Sequence, residues 1–350
     1  MLSSQHRLVT QPAIRAYEAF SAPGFGFNSK LLDDAFGGSG LKRGYISEVC
    51  GAPGMGKTSL ALQITANALL SGSRVIWVET CQPIPMERLR QLLDNHVPSS
   101  QDEEEKCDTD ELLNLLDVVY APNLVNILAF LRNFDQEKHL KEIGLLIIDN
   151  LSMPIQLAYP TSPEDYAYLR LRRNTSKKSS LSDSSQKENT LTLNKENEFS
   201  SKDDSNFAFH NSSTKTTINR RKKAIGTISS LLSKITSSCY VAIFVTTQMT
   251  SKVVSGIGAK LIPLLSTNWL DNLSYRLILY SRHSTEESKD GQSRPSHQLL
   301  RYAFMAKQPP AHSAESELAF QLTSTGIQDY QSIPTNSSQR RKRSILECES

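Results

Sequence analysis

The sequence has little cysteine and no long apolar run. Its five cysteines, Cys50, Cys81, Cys107, Cys239 and Cys348, lie far apart, and no two form a C-x-x-C pair. That spacing argues against a zinc site, and the odd, scattered set fits free thiols in a reducing compartment. No run of about 18 apolar residues occurs, so no membrane span or membrane partner is expected. The opening MLSSQHRLVT lacks the apolar centre of a signal peptide. The hydrophobic share is 38%, low for a fully packed chain, so part of the sequence is expected outside the core. The net charge of +3 is too small to argue for a nucleic-acid partner, so the basic residues matter through their clustering.

What is present is an alternation of strand and helix signals. Tyr45-Ile46-Ser47-Glu48-Val49-Cys50 reads as a strand, followed by a glycine-rich turn and a helix over 57–70 that Gly72 stops. A β-branched strand at 74–78 and a helix over 86–93 opened by Pro85 come next. Residues 98–110 read as an acidic loop, before a strand at 117–120, a helix at 124–133 and a strand at 144–149. This spacing predicts an α/β fold with a mainly parallel sheet flanked by helices. From 172 to 221 the chain is polar with hardly an apolar residue, and it is expected to be a disordered insertion. A helix over 224–238 carries Ile228, Leu231, Leu232 and Ile235 on one side, and a strand follows at 241–246. Late strands at 276–280, 299–305 and 318–322 are joined by loops, so they are expected to run antiparallel. The resulting organisation is an N-terminal segment at 1–23, a core at 24–330 and a basic flexible tail at 331–350.

Gly51-Ala52-Pro53-Gly54-Met55-Gly56-Lys57-Thr58 matches G-x-x-x-x-G-K-[ST] at every required position, and Ser59 follows it into the helix. Glycines let such a turn face its N–H groups toward phosphates, and the helix N-terminus adds a favourable dipole. Lys57 supplies a charge to the outer phosphates, and Thr58 is a Mg²⁺ ligand. ATP with Mg²⁺ is therefore the expected ligand. The apolar strand Gly144-Leu145-Leu146-Ile147-Ile148-Asp149 ends in a carboxylate at the same sheet edge, where Asp149 would hold the metal through water. Glu79, at the end of another strand, is the candidate to activate water, and Gln248, past the 241–246 strand, is the candidate to sense the γ-phosphate.

The order of these elements resembles the RecA superfamily, and within it the eukaryotic recombinase paralogues. Phe27-Asn28-Ser29-Lys30-Leu31-Leu32-Asp33-Asp34-Ala35-Phe36-Gly37-Gly38, followed by Gly40-Leu41-Lys42-Arg43-Gly44-Tyr45-Ile46-Ser47-Glu48, is similar to that family's entry into the P-loop. Glu79 falls where the family carries its catalytic glutamate, Met86-Glu87-Arg88-Leu89 follows as the family's x-E-R-L helix does, and Thr246-Thr247-Gln248 matches its T-N-Q strand end with Thr for Asn. Three departures point to a paralogue over the main recombinase. Only 50 residues precede Gly51, the protomer-tethering Phe-x-x-Ala is absent (Tyr17-Glu18-Ala19-Phe20 does not fit it), and the polar insertion lies at the first DNA-facing loop.

The resemblance implies a RecA-like P-loop ATPase core and a role in homologous recombination of double-strand breaks. The chain would act as a mediator that pairs with a second recombinase paralogue and helps assemble the main recombinase filament on single-stranded DNA. It also implies slow ATP hydrolysis. The loop from Met249 to Thr267, with Lys252, Gly256, Gly258 and Lys260, would be the second DNA-facing loop. Met305-Ala306-Lys307-Gln308-Pro309-Pro310 would cap a neighbour's nucleotide, with Lys307 reaching its γ-phosphate. Arg220-Arg221-Lys222-Lys223 and Arg340-Arg341-Lys342-Arg343 read as nuclear import signals or phosphate-binding patches, so the expected location is the nucleus. Ser185-Gln186 and Ser338-Gln339 are candidate damage-kinase sites. Two alternatives stand beside this reading: a strand-exchange enzyme forming its own filaments, and an unrelated P-loop ATPase such as a helicase core or a metabolic kinase.

Overall fold

A computed structural model describes residues 22–96, 108–134, 143–160, 205–254, 258–265, 267–287, 293–310 and 317–330, together with Ile14 and Tyr17. The two Ser-Gln pairs, the run Arg340–Arg343, the tail 331–350, most of the N-terminal segment and the 172–204 part of the insertion lie outside the described residues.

The strands, in chain order, are β1 (Ile46–Gly51), β2 (Arg74–Glu79), β3 (Leu116–Tyr120), β4 (Ile143–Asp149), β5 (Ala242–Val254), β6 (Gly258–Pro263), β7 (Tyr275–Glu287), β8 (Ser293–Lys307), β9 (Leu318–Thr323) and β10 (Gly326–Asp329). The helices are α1 (Lys30–Ala35), α2 (Lys57–Leu70), α3 (Met86–His96), α4 (Thr109–Leu113), α5 (Leu124–Asn133), α6 (Ser152–Ala158) and α7 (Ser205–Cys239). The sheet order is β10-β9-β8-β7-β1-β5-β4-β2-β3, with β6 paired to β5 alone. From β7 to β3 every pairing is parallel. From β7 to β10 every pairing is antiparallel, as expected for strands joined by loops.

Helices cover both faces of the parallel part, and this explains why its central strands are apolar throughout. In β4 every residue up to Ile148 is buried, leaving only Asp149 at the edge partly open. On one face α2 and α3 bury Leu60, Ile64, Leu89 and Leu93 against Val75, Trp77, Leu145 and Phe244. On the other, α5 and α7 bury Ile127, Leu131, Ile228 and Leu232 against Ile76, Leu146, Ile243 and Val245. No helix among the described residues is long and apolar enough to cross a membrane.

Two expectations are corrected. The helix read at 224–238 begins at Ser205, so 205–221 is helical and is not part of a disordered insertion. Its anchored half buries Ile225, Ile228, Leu232 and Ile235. Extending a formed helix costs far less than nucleating one, so a polar sequence can follow. The stretch after Gln248 is not an open loop but the hairpin of β5 and β6, paired from Met249↔Pro263 to Val254↔Gly258. Val253, Val254 and Ile262 are β-branched, a residue type that favours strands. The short β10 gave no sequence signal of its own.

The outer end of the sheet holds a carboxylate with a displaced pKa. Asp33 of α1 accepts a hydrogen bond from the Phe27 N–H at 2.7 Å. Burial pushes its carboxyl up to about 6; the Phe27 bond opposes this and Asp329 adds to it. The folded value lies above the unfolded 3.8, so the native state binds this proton more tightly. Stability from this group therefore rises as pH falls through about 6 and levels off below about 4. Thermal melts at pH 7 and pH 5 check this: Asp33→Asn should lose that component of the wild-type rise, and an identical rise in both proteins would contradict it.

Candidate nucleotide site

The P-loop forms where β1 leaves the sheet and α2 begins. Gly56 is the N-cap of α2 at φ 101°, a left-handed conformation that side chains rarely adopt, and no side chain caps the helix there. Gly51 has its neighbour close by: a Cβ there would stand 2.8 Å from the Leu279 carbonyl oxygen. Met55 N–H donates to the Ala52 carbonyl at 3.4 Å, closing the turn. Backbone N–H groups at a helix start with no side-chain cap are a ready anion site.

Three side chains converge on this turn. Lys57 Nζ donates to the carbonyls of Gly51 at 2.8 Å and Ala52 at 2.9 Å. Burial lowers its pKa, and the Asp149 carboxylate opposes that shift. Thr58 Oγ1 donates to Asp149 Oδ2 at 2.8 Å, and Thr246 Oγ1 donates to the other carboxylate oxygen. Asp149 is thus aimed at the turn by a hydroxyl from α2 and one from β5. Lys57, Thr58, Asp149 and Gln248, together with Pro53 and Gly54, line a cleft of about 630 Å³.

Gln248 enters this cleft because β5 pairs with β1 so that Gln248 stands opposite Gly51. Its N–H donates to Ser152 Oγ at 3.0 Å. Glu79 stands opposite Asp149 on the neighbouring strand. Its carboxylate accepts the Ile84 N–H at 2.6 Å, and Glu79 is not among the residues lining the cleft. Ser59 faces a second, smaller cleft of about 250 Å³, lined also by Gln63, Arg88, Leu322 and Gly326. Gln63 Oε1 accepts the Ile327 N–H at 3.2 Å, and its amide nitrogen finds no partner among the described residues. The sequence analysis did not single out Gln63, which lines this second cleft; a glutamine inside the apolar α2 pattern is the signal that would have drawn attention to it.

Lys307 makes a contact within the chain: its ammonium donates to the Leu270 carbonyl. Just below the P-loop lies an ion pair that was also not foreseen. Arg276 Nε meets Glu48 Oε2 at 2.6 Å, with side chains 5% and 0% exposed. Thr247 Oγ1 donates to Glu48 Oε1 at 2.6 Å, and the Arg276 guanidinium also donates to the Leu265 carbonyl at 2.9 Å. Burial raises the Glu48 pKa and the Arg276 charge opposes it. One charge of each sign inside an apolar strand was the available signal.

The donor set suits Mg²⁺ shared with phosphates. No group of three or more His, Cys, Asp or Glu is placed to hold a metal among the described residues. Thr58 and Asp149 offer hard oxygens, and Mg²⁺ is commonly bound by one or two protein oxygens, with phosphates and water completing the shell.

No protein-family model matches the chain. Over 128 residues it is 24% identical to the DNA repair and recombination protein RadB of Methanococcus maripaludis, covering 35% of this chain and 49% of the relative. Over 61 residues it is 39% identical to the RadB of Methanosphaera stadtmanae, covering 17% of this chain and 26% of that protein. The matched stretch thus spans about half of the first relative's length and about a quarter of the second's. These are distant similarities to archaeal RadB, and the mostly parallel, helix-flanked α/β sheet is consistent with a RecA-like core.

Proposed function

We propose that this chain binds ATP and Mg²⁺ on its P-loop and acts in DNA repair by homologous recombination. In this reading it is a nuclear mediator that pairs with a second recombinase paralogue and helps assemble the main recombinase on single-stranded DNA. The observation that carries the nucleotide part is the Thr58–Asp149 contact at 2.8 Å beside the glycine turn. The similarity to RadB supports the recombination part.

Lys57 neutralises the outer phosphates, and the N–H groups at the start of α2 bind the inner ones. Thr58 and Asp149 hold Mg²⁺, which would draw charge from the phosphates when bound. The cleft beside Ser59 receives the nucleoside, with the Gln63 amide as a donor. Gln248 reports on the γ-phosphate to the hairpin that begins one residue later. A water-activating role for Glu79 asks for its release from Ile84, which fits a slow ATPase.

Single-stranded DNA is assigned to the β5–β6 hairpin. Its register sets Lys252 directly opposite Lys260. Lys252 is exposed on this hairpin, and an exposed lysine suits a phosphate contact. Lys252→Ala should weaken binding to oligo-dT and reduce the log–log salt slope by roughly 0.7, the share of one phosphate contact. An unchanged slope would remove the hairpin from the DNA path. For the partner, affinity purification of the full chain should recover a second P-loop protein. Solo filaments on DNA, seen by microscopy, would instead favour a strand-exchange enzyme.

A further inference from the structure

A buried ion pair is an expensive way to hold a sheet together. Apolar residues of similar size in its place are often as stabilising or more so, so its presence asks for a second role. Both ends of the Glu48–Arg276 pair attach to parts of the proposed site. Glu48 lies on β1, the strand that becomes the phosphate turn at Gly51. Its other carboxylate oxygen takes the hydroxyl of Thr247, the residue before Gln248. Arg276 spends its second donor on the carbonyl of Leu265, where the β5–β6 hairpin returns to the core. The adjacent Leu264 N–H donates to the Gln248 carbonyl at 3.0 Å. One carboxylate therefore ties together the strand before the P-loop, the strand end that lines the cleft and, through arginine, the hairpin's return limb. Leu265 and Trp269 are buried, as are Glu48 and Arg276 themselves. Close-packed interiors of this kind transmit small displacements.

We infer that Arg276 is a positioning residue that couples the nucleotide turn to the β5–β6 hairpin, holding the hairpin's return limb to the strand that feeds the P-loop. The inference rests on the ATP reading above. Nucleotide on the P-loop then changes how firmly the hairpin is held. Because such coupling is reciprocal, a ligand on the hairpin changes nucleotide affinity by the same factor.

The test is hydrogen exchange over residues 249–263 of the full chain, with and without a saturating non-hydrolysable ATP analogue and Mg²⁺. Calorimetry on the same samples confirms occupancy. In wild type the analogue should slow hairpin exchange by roughly 5-fold or more, the lower end of typical coupling. Arg276→Lys keeps a charge for Glu48 but lacks the fork that also reaches Leu265. The double variant Glu48→Gln/Arg276→Met removes both charges and leaves an acceptor for Thr247. Both variants should bind the analogue within roughly two-fold of wild type yet lose the slowing, whereas a merely structural pair would leave it intact. A hairpin that responds in these variants as in wild type, or that ignores bound analogue in wild type, overturns the inference. Absence of any binding heat in wild type would instead overturn the ATP reading, and this inference with it.

Discussion

Lys57→Ala should weaken ATP binding by roughly 30- to 700-fold, the equivalent of about 2–4 kcal/mol for a lost charge-assisted contact in a partly buried site. Lys57 is the one cation among the described residues that line the main cleft, and its ammonium donates to the Gly51 and Ala52 carbonyls. The Met55–Ala52 hydrogen bond that closes the turn does not involve the lysine, so the variant should fold and the loss should fall on affinity. Equilibrium binding of a fluorescent ATP analogue to both proteins reads this directly. Equal affinities would remove Lys57 from the phosphate site.

The second large effect concerns the ion pair below the turn. Arg276→Met leaves the Glu48 carboxylate without its cation in a place where it is 0% exposed. Breaking a buried pair from one side costs about 3–5 kcal/mol. Adding Glu48→Gln removes the stranded charge while keeping an acceptor for Thr247, so the double variant should recover most of that loss. Urea unfolding of wild type, the single and the double variant forms the comparison. A double variant no more stable than Arg276→Met would show that the uncompensated charge is not what the single variant suffers from.

Much of this architecture was legible in the sequence, because local signals agreed with the fold. The helix over 57–70 lies where Gly56 and Gly72 bracket it, and the apolar run ending at Asp149 forms the buried strand that presents that carboxylate. What could not be read depended on neighbours distant in sequence. The polar half of α7 is helical because the buried half anchors it. The stretch read as a loop after Gln248 pairs as a hairpin, a pairing between two segments that neither segment shows alone. Glu48 and Arg276 are 228 positions apart and meet only because the sheet order sets β7 beside β1. The contact between Lys307 and the Leu270 carbonyl likewise joins residues 37 positions apart. Asp149 reads as a metal ligand from its strand end together with the P-loop. Its orientation needs Thr58 and Thr246, which come from two other elements.

The measurement that bears most directly on the central claim is a calorimetric titration of ATP into the wild-type chain, once with Mg²⁺ and once with the metal chelated. Thr58 and Asp149 are placed to share a metal with phosphates, so the account predicts saturable binding at one site that tightens when Mg²⁺ is present. ADP should compete, and Asp149→Ala should abolish the metal's contribution while leaving metal-free binding in place. Absence of saturable heat under both conditions, or binding that is indifferent to Mg²⁺ and to Asp149, would contradict the assignment of this cleft as a nucleotide site.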